Sequence, residues 1–178
     1  LVDFSVPNLS YLLPYLNVSS SGEGENVVRF IRGEEVESTR SRFLTIGGQR
    51  GVWRLGDIVN STPRIQSMNP INSYHLIPPL GYSDSSYQEY VSSDDYRKRG
   101  VVYVGANDGM LHAFYLGNLK QEWVGKGTYE KGYLEGSDLG RELWAFIPKN
   151  ALPFLKYLSD TDYCHLYYVD APPYLVDA

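Results

Sequence analysis

The chain has 178 residues, 43% hydrophobic and 21% charged, and its 16 Lys and Arg against 21 Asp and Glu give a net charge of −5. This length and apolar content fit one globular domain with a core and exclude a disordered chain. No apolar run approaches the roughly 18 residues of a membrane span, so no transmembrane segment is expected. The acidic balance argues against nucleic acid, because phosphate binding needs a basic surface.

Tyrosine is the telling feature of the composition, with 16 Tyr against 6 Phe and 3 Trp. Tyrosine suits half-buried sheet surfaces, where the ring packs and the hydroxyl stays in water. The expected fold is therefore mainly β with a few short helices. The single cysteine, Cys164, excludes an internal disulfide and a multi-cysteine zinc site. Because the chain opens at Leu1 without an initiator Met, we expect a piece of a longer protein.

The first 26 residues are predicted to form a separate N-terminal region. Residues 1–16 are apolar, contain two prolines and lack a clean period, which indicates an extended segment. Residues 17–26 are rich in Ser, Gly and Asn, which is typical of a flexible surface loop. Asn26 is predicted to cap a short helix, VVRFIR, that ends at Gly33.

The middle of the chain carries weaker signals. The segment Glu34–Arg54 alternates poorly and predicts a loop with one short strand. Pro63 is predicted to open a strand, since proline is tolerated at a strand's first residue. Asp84 is predicted to cap a helix that extends to Asp94.

The firmest prediction is a β-hairpin within RKRGVVYVGANDGMLHAFYLGN. Two strands, VVYVG and MLHAFYLG, flank a tight turn in which Gly105 precedes Asn107, Asp108 and Gly109. Such a turn needs positive φ, which Gly adopts freely and Asn or Asp tolerates.

A third strand is predicted in GRELWAFIP. Leu143, Ala145 and Ile147 alternate with Trp144 and Phe146, so both faces are apolar and the strand should be buried on both sides. Asn150 is then predicted to cap a helix, ALPFLKYLS, and HLYYVDAPPYLVDA to form two short strands. Closely spaced strands with turns between them are typical of an all-β sandwich or propeller.

The hairpin and GRELWAFIP together resemble a blade of a quinoprotein-like β-propeller. Four motifs occur in order: LGDIVNSTPRI, VVYVGANDGMLHAF, GRELWAFIP and YCHLYYVDAPP. Together they resemble the C-terminal propeller of the PilC/PilY-type proteins, which are type IV pilus tip adhesins and biogenesis factors. The resemblance implies that residues 27–178 are part of a β-propeller that is incomplete and continues beyond the C-terminus. Trp144 and Phe146 would then be core residues of a blade.

The resemblance also implies an exported protein of the periplasm, the outer-membrane surface or the pilus tip. Its partners would be minor pilins or other pilus-tip components, and contact with host or abiotic surfaces would lie outside this chain. Some family members bind Ca²⁺ on the propeller, but closely alternating Asp residues are missing here, so no cofactor is expected in this stretch. The insert Lys120–Gly140 is longer than a compact blade needs and is either a partner-binding excursion or neutral decoration.

For each residue whose side chain could bind a ligand or take part in catalysis, a structural role is expected instead. Asp108 is expected to accept backbone N–H bonds across its turn rather than to face a cofactor. A turn role is likewise expected for three polar residues in GDIVNSTP and a structural role for each histidine. The residues concerned are Asp57, Asn60, Ser61, His75, His112 and His165.

Cys164 leaves two alternatives open, a disulfide with a cysteine outside this chain or a buried free thiol. The acidic residues Asp84, Glu89, Asp94 and Asp95 are spaced as on a solvated face rather than as Ca²⁺ ligands. Exposed tyrosines are the better candidates for partner contact, because tyrosine is enriched at interfaces. The set is Tyr82, Tyr87, Tyr90, Tyr96, Tyr129 and Tyr133, of which Tyr129 and Tyr133 lie in the insert.

The resemblance thus implies a non-enzymatic pilus assembly and adhesion module that presents a propeller surface to its partners. Two alternatives remain at this point: a fragment of a quinoprotein-like envelope dehydrogenase, and a scaffold propeller of outer-membrane assembly.

Overall fold

The computed structural model describes residues 1–123 and 129–177. The chain divides into two compact units, each assembled from three separate stretches. Unit 1 comprises Leu1–Asn60, Ala106–Leu111 and Phe146–Asp170. Unit 2 comprises Ser61–Gly105, His112–Ala145 and the C-terminal stretch from Ala171.

Unit 1 is built around helices. A 3-10 turn at Val6–Asn8 leads into helix α1, Leu9–Leu16, which is followed by α2, Ser21–Ile31, and later in the chain by a 3-10 helix at Leu152–Ser159. Their apolar faces form one buried cluster, made of Leu12, Leu16, Val27, Val28, Phe30, Ile31, Leu152, Leu155 and Leu158. This cluster is the hydrophobic core of the unit.

The predicted extended segment and flexible loop at the N-terminus are wrong. Residues 9–16 are helical despite Pro14, because Leu12 and Leu16 are buried and tertiary packing outweighs the lost hydrogen bond. The cap of helix α2 is Ser20, six residues before the predicted cap Asn26, and the Ser20 side chain accepts the N–H of Glu23. The predicted stop is confirmed: Gly33 follows α2 with φ +97°.

Residues 34–54 hold two strands rather than the single strand predicted. Strands β1, Phe43–Ile46, and β2, Gln49–Val52, pair as an antiparallel hairpin. Its turn is Gly47-Gly48, and both glycines have positive φ. The hairpin's residues are largely exposed.

Unit 2 contains most of a four-stranded sheet whose strands follow chain order. It is made of β3, Arg64–Gln66; β4, Val101–Gly105; β5, Leu111–Tyr115; and β8, Glu142–Phe146. β3 pairs antiparallel with β4, and β4 lies next to β5. The strand after Pro63, the hairpin and the third strand are therefore confirmed.

The predicted burial of the third strand is wrong. All five residues of β8 are exposed, including Trp144 at 46% and Phe146 at 42%. The physical reason is its position: β8 is an outer strand of the sheet, and Trp144 has a ring contact with Tyr103, whose ring centroid lies 5.7 Å away. Within this chain, neither Trp144 nor Phe146 is a core residue.

Two helices lie between β3 and β4. Helix α3, Ser85–Ser92, begins at Asp84, whose carboxylate accepts the N–H of Tyr87 as predicted, and α4 covers Asp94–Arg97. Tyr87, Val91 and Tyr96 form a small buried cluster.

The insert between β5 and β8 is itself a hairpin. β6, Asn118–Trp123, pairs antiparallel with β7, Tyr129–Glu135, in a separate two-stranded sheet with a bulge at Glu122/Trp123. Except for its first two residues, Asn118 and Leu119, the hairpin lies within the predicted insert Lys120–Gly140.

The last part of the chain differs from prediction in two ways. The helix at residues 152–159 is 3-10 and has no side-chain cap, so the capping role of Asn150 is wrong, although Pro153 does lie in its first turn. Residues 165–177 form no strand, because their polar contacts are isolated bonds to distant side chains rather than a ladder.

The described chain is mainly β, with its strands in three separate sheets and a few short helices. The described strands do not close into a barrel. The assignment of residues 27–178 to a propeller stays a prediction. None of the helices in the described ranges combines the length and the hydropathy that a membrane crossing requires.

Candidate functional site

The turn of the β4–β5 hairpin is held by buried polar side chains of unit 1. Asn107 is 1% exposed, its Nδ2 donates to Asp57 Oδ2 over 2.9 Å, and its Oδ1 accepts the N–H of Tyr168 over 3.1 Å. The Asn107 N–H donates to the carbonyl of Asp57 over 3.0 Å. One side chain therefore joins three stretches of chain that are far apart in sequence.

Asp108 accepts backbone N–H groups on both carboxylate oxygens, from Gly56 over 2.8 Å and from Met110 over 3.2 Å. This confirms the predicted turn role of Asp108. Gly109 has φ +91°, a conformation that other residues rarely adopt. A Cβ at this position would also lie only 2.6 Å from Leu155 Cδ2, so both the backbone conformation and the available space favour glycine. In unit 2, the N–H of Gly105 donates to buried Ser61 Oγ over 2.9 Å.

Asp57 also contacts His165. The Nε2 atom of His165 lies 2.9 and 3.0 Å from the two carboxylate oxygens of Asp57. Partial burial would raise the pKa of Asp57, but hydrogen bonds from Asn107 and His165 outweigh it and lower the pKa below its ordinary value. Asn60 donates its backbone N–H and its side-chain amide to Asp170. The polar residues of GDIVNSTP therefore have structural partners, but these bonds run to distant parts of the chain and not across the local turn that was predicted.

The other chemical candidates are dispersed. His112 is buried and its Nδ1 lies 2.5 Å from Glu142 Oε1, while His75 contacts the ring of Tyr87. Cys164 is exposed, so the buried-thiol alternative is wrong. It lines a shallow, mostly apolar pocket of about 320 Å³ beside Phe154 and the 3-10 helix. In the described ranges, no three His, Cys, Asp or Glu side chains converge as metal ligands would.

Five tyrosines of unit 2 form a continuous series of ring contacts, here named the tyrosine row. In spatial order the rings are those of Tyr82, Tyr74, Tyr87, Tyr90 and Tyr96. Successive centroids lie 5.5, 5.3, 6.3 and 5.0 Å apart, within the range of favourable aromatic pairs. At its buried end, the guanidinium carbon of Arg99 lies 3.3 Å from the Tyr96 ring centroid.

The buried end of the row is anchored by one carboxylate. Asp177 accepts the hydroxyls of Tyr87 over 2.6 Å and Tyr96 over 2.5 Å and pairs with Arg99 over 3.1 Å. Burial would raise the pKa of Asp177, but the bonds from Tyr87, Tyr96 and Arg99 outweigh it and lower the pKa. Its carbonyl also accepts the Asn72 side chain.

The structure divides the predicted contact tyrosines. Tyr82 and Tyr90 are exposed, whereas Tyr87 and Tyr96 are buried, so the expectation of exposure is wrong for the last two. Tyr74 and Asp177 were missed. Helical spacing signals Tyr87 and Tyr90 but carries no information on Asp177, because its tyrosine partners lie 90 and 81 residues away.

The insert hairpin has one apolar and one polar face. Because residues opposite each other in an antiparallel pair share a face, Leu119 and Leu134 lie on one side, and Tyr133 with Lys120 on the other. Leu119, Trp123 and Leu134 are all exposed. Tyr133 is exposed too and lies beside Lys131. Tyr129 is the first residue of β7, and its side chain falls outside the described residues.

Comparison with known proteins found relatives of one kind. A Xylella fastidiosa type IV pilus biogenesis factor PilY1 homolog is 33% identical over 116 residues, which are 65% of this chain and 8% of that protein. The type IV pilus biogenesis factor PilY1 of Pseudomonas aeruginosa strain PAK is 30% identical over 168 residues, 93% of this chain and 12% of that protein.

The chain thus spans about a tenth of the length of these curated relatives. No family model matches it, and no solved structure matches it. The matches confirm the resemblance carried by the four sequence motifs: over most of its length, the chain is a PilY1-type sequence, related to the type IV pilus biogenesis factors.

Proposed function

We propose that this chain serves type IV pilus biogenesis as a binding and assembly module without catalytic activity, in an exported protein of the cell envelope. The observation that carries the proposal is the 30% identity with a PilY1 pilus biogenesis factor across 93% of the chain. A role in adhesion belongs to the same proposal and rests on the family resemblance.

The four-stranded sheet supports a propeller context for the module. Its strands occur in chain order, as in the meander of a propeller blade, and the outer strand β8 exposes Trp144 and Phe146. In a ring of blades these side chains would pack against the neighbouring blade. Exposed apolar side chains on an outer strand are otherwise a liability for aggregation.

The polar groups around the hairpin turn favour a structural over a catalytic role. The side chains of Asn107 and Asp108 form hydrogen bonds with backbone groups, and that of Asn107 also with Asp57. A side chain committed in this way holds the loop that carries it. The quinoprotein alternative would instead be favoured by dye-linked alcohol oxidation, and a Ca²⁺ site elsewhere in an intact propeller stays a prediction.

The insert hairpin is the proposed surface for minor pilins or other pilus-tip components. A two-stranded hairpin is marginal in water unless an apolar face is covered, and Leu119, Trp123 and Leu134 leave much of one face exposed. An exposed apolar patch on a defined element is typical of an interaction site.

The test replaces Asn118–Glu135 with a short Gly-Ser turn in the gene that encodes this chain. We expect fewer surface pili by electron microscopy and loss of minor pilins from a pull-down. The matched control replaces the other exposed hairpin, Phe43–Val52, with the same turn and should leave both unchanged. Normal piliation without the insert hairpin would contradict the proposal, and recovery of outer-membrane assembly proteins instead of pilins would favour the scaffold alternative.

A further inference from the structure

The tyrosine row offers a second surface whose chemistry is more specific than that of the insert hairpin. Tyr82 is 63% exposed, Tyr90 is 46% exposed and Tyr74 is 37% exposed, while Tyr87 and Tyr96 are buried beneath them. The row is therefore a set of open aromatic faces supported from inside by further rings.

The exposed rings are held in place before any partner arrives. Tyr90 meets the edge of Tyr96 at an interplanar angle of 82°, and the Tyr96 hydroxyl is fixed on Asp177. Tyr74 rests on Tyr87, whose hydroxyl is fixed on the same carboxylate. Rigid rings lose little conformational entropy on binding, which is why preorganised tyrosines make effective contact residues.

The loop that joins two of these rings is also closed by its own backbone. Tyr82 N–H and Asp84 N–H both donate to the carbonyl of Tyr74, and a Cβ on Gly81 would lie 2.1 Å from the Ser73 carbonyl oxygen. The closed loop exposes Ile77 and Leu80 at 74% and 71%. An apolar tip therefore stands in the same loop as Tyr74 and Tyr82.

The stretch from residue 72 to residue 95 is acidic, and the basic residues Arg97, Lys98 and Arg99 follow it at the buried end of the row. Between residues 72 and 95 the sequence contains no Lys or Arg, and it contains four carboxylates: Asp84, Glu89, Asp94 and Asp95. Lys98 pairs with Asp94 over 2.8 Å and Arg99 pairs with Asp177 over 3.1 Å, while Glu89 and Asp95 are exposed. Aromatic faces are themselves negative, so rings and carboxylates attract the same kind of ligand.

We propose that the tyrosine row docks a basic segment of a partner protein, whose Arg or Lys side chains lie on the exposed faces of Tyr82, Tyr74 and Tyr90. The surrounding carboxylates pair with the same cations, and Ile77 and Leu80 take an apolar neighbour. The inference rests on the proposed function in that it gives the chemistry of one assembly partner. Complementary charge is what selects a basic segment over a neutral one.

The test titrates the 178-residue chain with the synthetic peptide Gly-Leu-Arg-Pro-Leu-Arg-Gly, blocked at both ends, and with versions carrying Gln or Glu in place of Arg. Binding is followed by calorimetry and by the NMR shifts of the tyrosine rings. We expect saturable binding of the Arg peptide, at least about tenfold weaker binding of the Gln peptide, and none of the Glu peptide. Raising NaCl from about 50 to 500 mM should weaken binding, because exposed charges are screened.

The double variant Tyr82→Leu/Tyr90→Leu should raise the Kd of the Arg peptide about tenfold, since each exposed cation–π contact contributes a few-fold. Glu89→Gln/Asp95→Asn should weaken binding while leaving the rings in place. The matched control is Tyr11→Leu, which removes an exposed tyrosine from α1 and should leave the Kd unchanged.

Equal binding of the Arg and Gln peptides, or no binding of the Arg peptide below about 5 mM, would overturn the inference. Ring shifts produced by a neutral oligosaccharide such as maltotriose, without shifts from the Arg peptide, would assign the row to a glycan instead. If the insert-hairpin deletion abolishes pili while the peptide fails to bind, only this inference fails. If the peptide binds while that deletion leaves piliation normal, the proposed function fails and the docking surface stands.

Discussion

Asp177 and Asn107 are buried polar side chains whose partners lie far away in sequence. Asp177 is 7% exposed and satisfies two tyrosine hydroxyls and one guanidinium, and Asn107 is 1% exposed and bonds Asp57 and Tyr168. A buried polar group costs little when its hydrogen bonds are made and much when one partner is lost. Single substitutions at these positions should therefore have large effects.

Replacing Asp177 with Asn removes the negative charge that Tyr87, Tyr96 and Arg99 share. We expect the free energy of unfolding to fall by about 2–4 kcal/mol at pH 7, because Arg99 loses its ion pair. Since the native pKa of Asp177 is lowered, its stabilisation is complete above the ordinary Asp value of 3.8 and is lost as the pH falls through the native value.

The difference between wild type and Asp177→Asn in urea unfolding should accordingly shrink between pH 7 and pH 3. Asp95→Asn, at an exposed position in α4, is the control and should change stability by less than about 0.5 kcal/mol. A difference that stays constant over this pH range would contradict the role assigned to the Asp177 charge.

Gly109→Ala separates backbone strain from steric contact. At Gly109, alanine meets both a φ of +91° and Leu155 Cδ2 at 2.6 Å, whereas Gly140 has φ +79° with nothing within 4 Å of the added Cβ. We expect Gly140→Ala to cost about 1 kcal/mol and Gly109→Ala about 2–3 kcal/mol in urea unfolding. Equal costs would mean that Leu155 moves aside freely.

At the scale of elements, local sequence signals predicted what local interactions determine. The Asp108 bond to the N–H of Met110 in the hairpin turn, the cap at Asp84 and the stop at Gly33 each involve residues within a few positions, and all three are confirmed. Helix α1 was missed because its Leu12 and Leu16 are stabilised by packing on other elements, which overrides a poor helical sequence.

The exposed outer strand β8 leads to a prediction about association. Leu143, Trp144 and Phe146 are exposed on an outer strand, which is a template for pairing with another chain. We expect the isolated chain to associate at high concentration and Leu143→Lys to reduce this association. Light scattering measures it, and Leu119→Lys, on the insert hairpin, serves as the control. An equal reduction by both variants would point to general surface hydrophobicity instead of the β8 edge.

At the scale of the whole molecule, the strands of the sheet were predictable, whereas the single hydrogen bonds between residues far apart in sequence were not. The strands of the four-stranded sheet follow chain order, with two helices between β3 and β4 and the insert hairpin between β5 and β8, and periodicity and turn chemistry find them. The last residues were predicted to form two short strands around Pro172-Pro173. They instead bond singly to side chains such as Asn107 and Tyr87, and no periodic pattern encodes such contacts.

Truncation after Asp170 tests whether the C-terminal residues hold a distant part of unit 2. It removes Asp177, so Tyr87 and Tyr96 lose their shared acceptor and Arg99 its ion pair, and the backbone of Ile71 and the side chain of Asn72 lose bonds as well.

We expect trypsin to cut the truncated chain at Arg97, Lys98 and Arg99 at least about tenfold faster, because proteolysis follows the population of locally opened states. The internal control is cleavage at Arg29 and Arg32 of unit 1, whose rate should not change, since the truncation removes no residue of that unit. Faster cleavage at both places would indicate general unfolding. An unchanged rate at residues 97–99 would show that the buried tyrosines hold their positions without Asp177, and the rigidity of the tyrosine row would then need another cause.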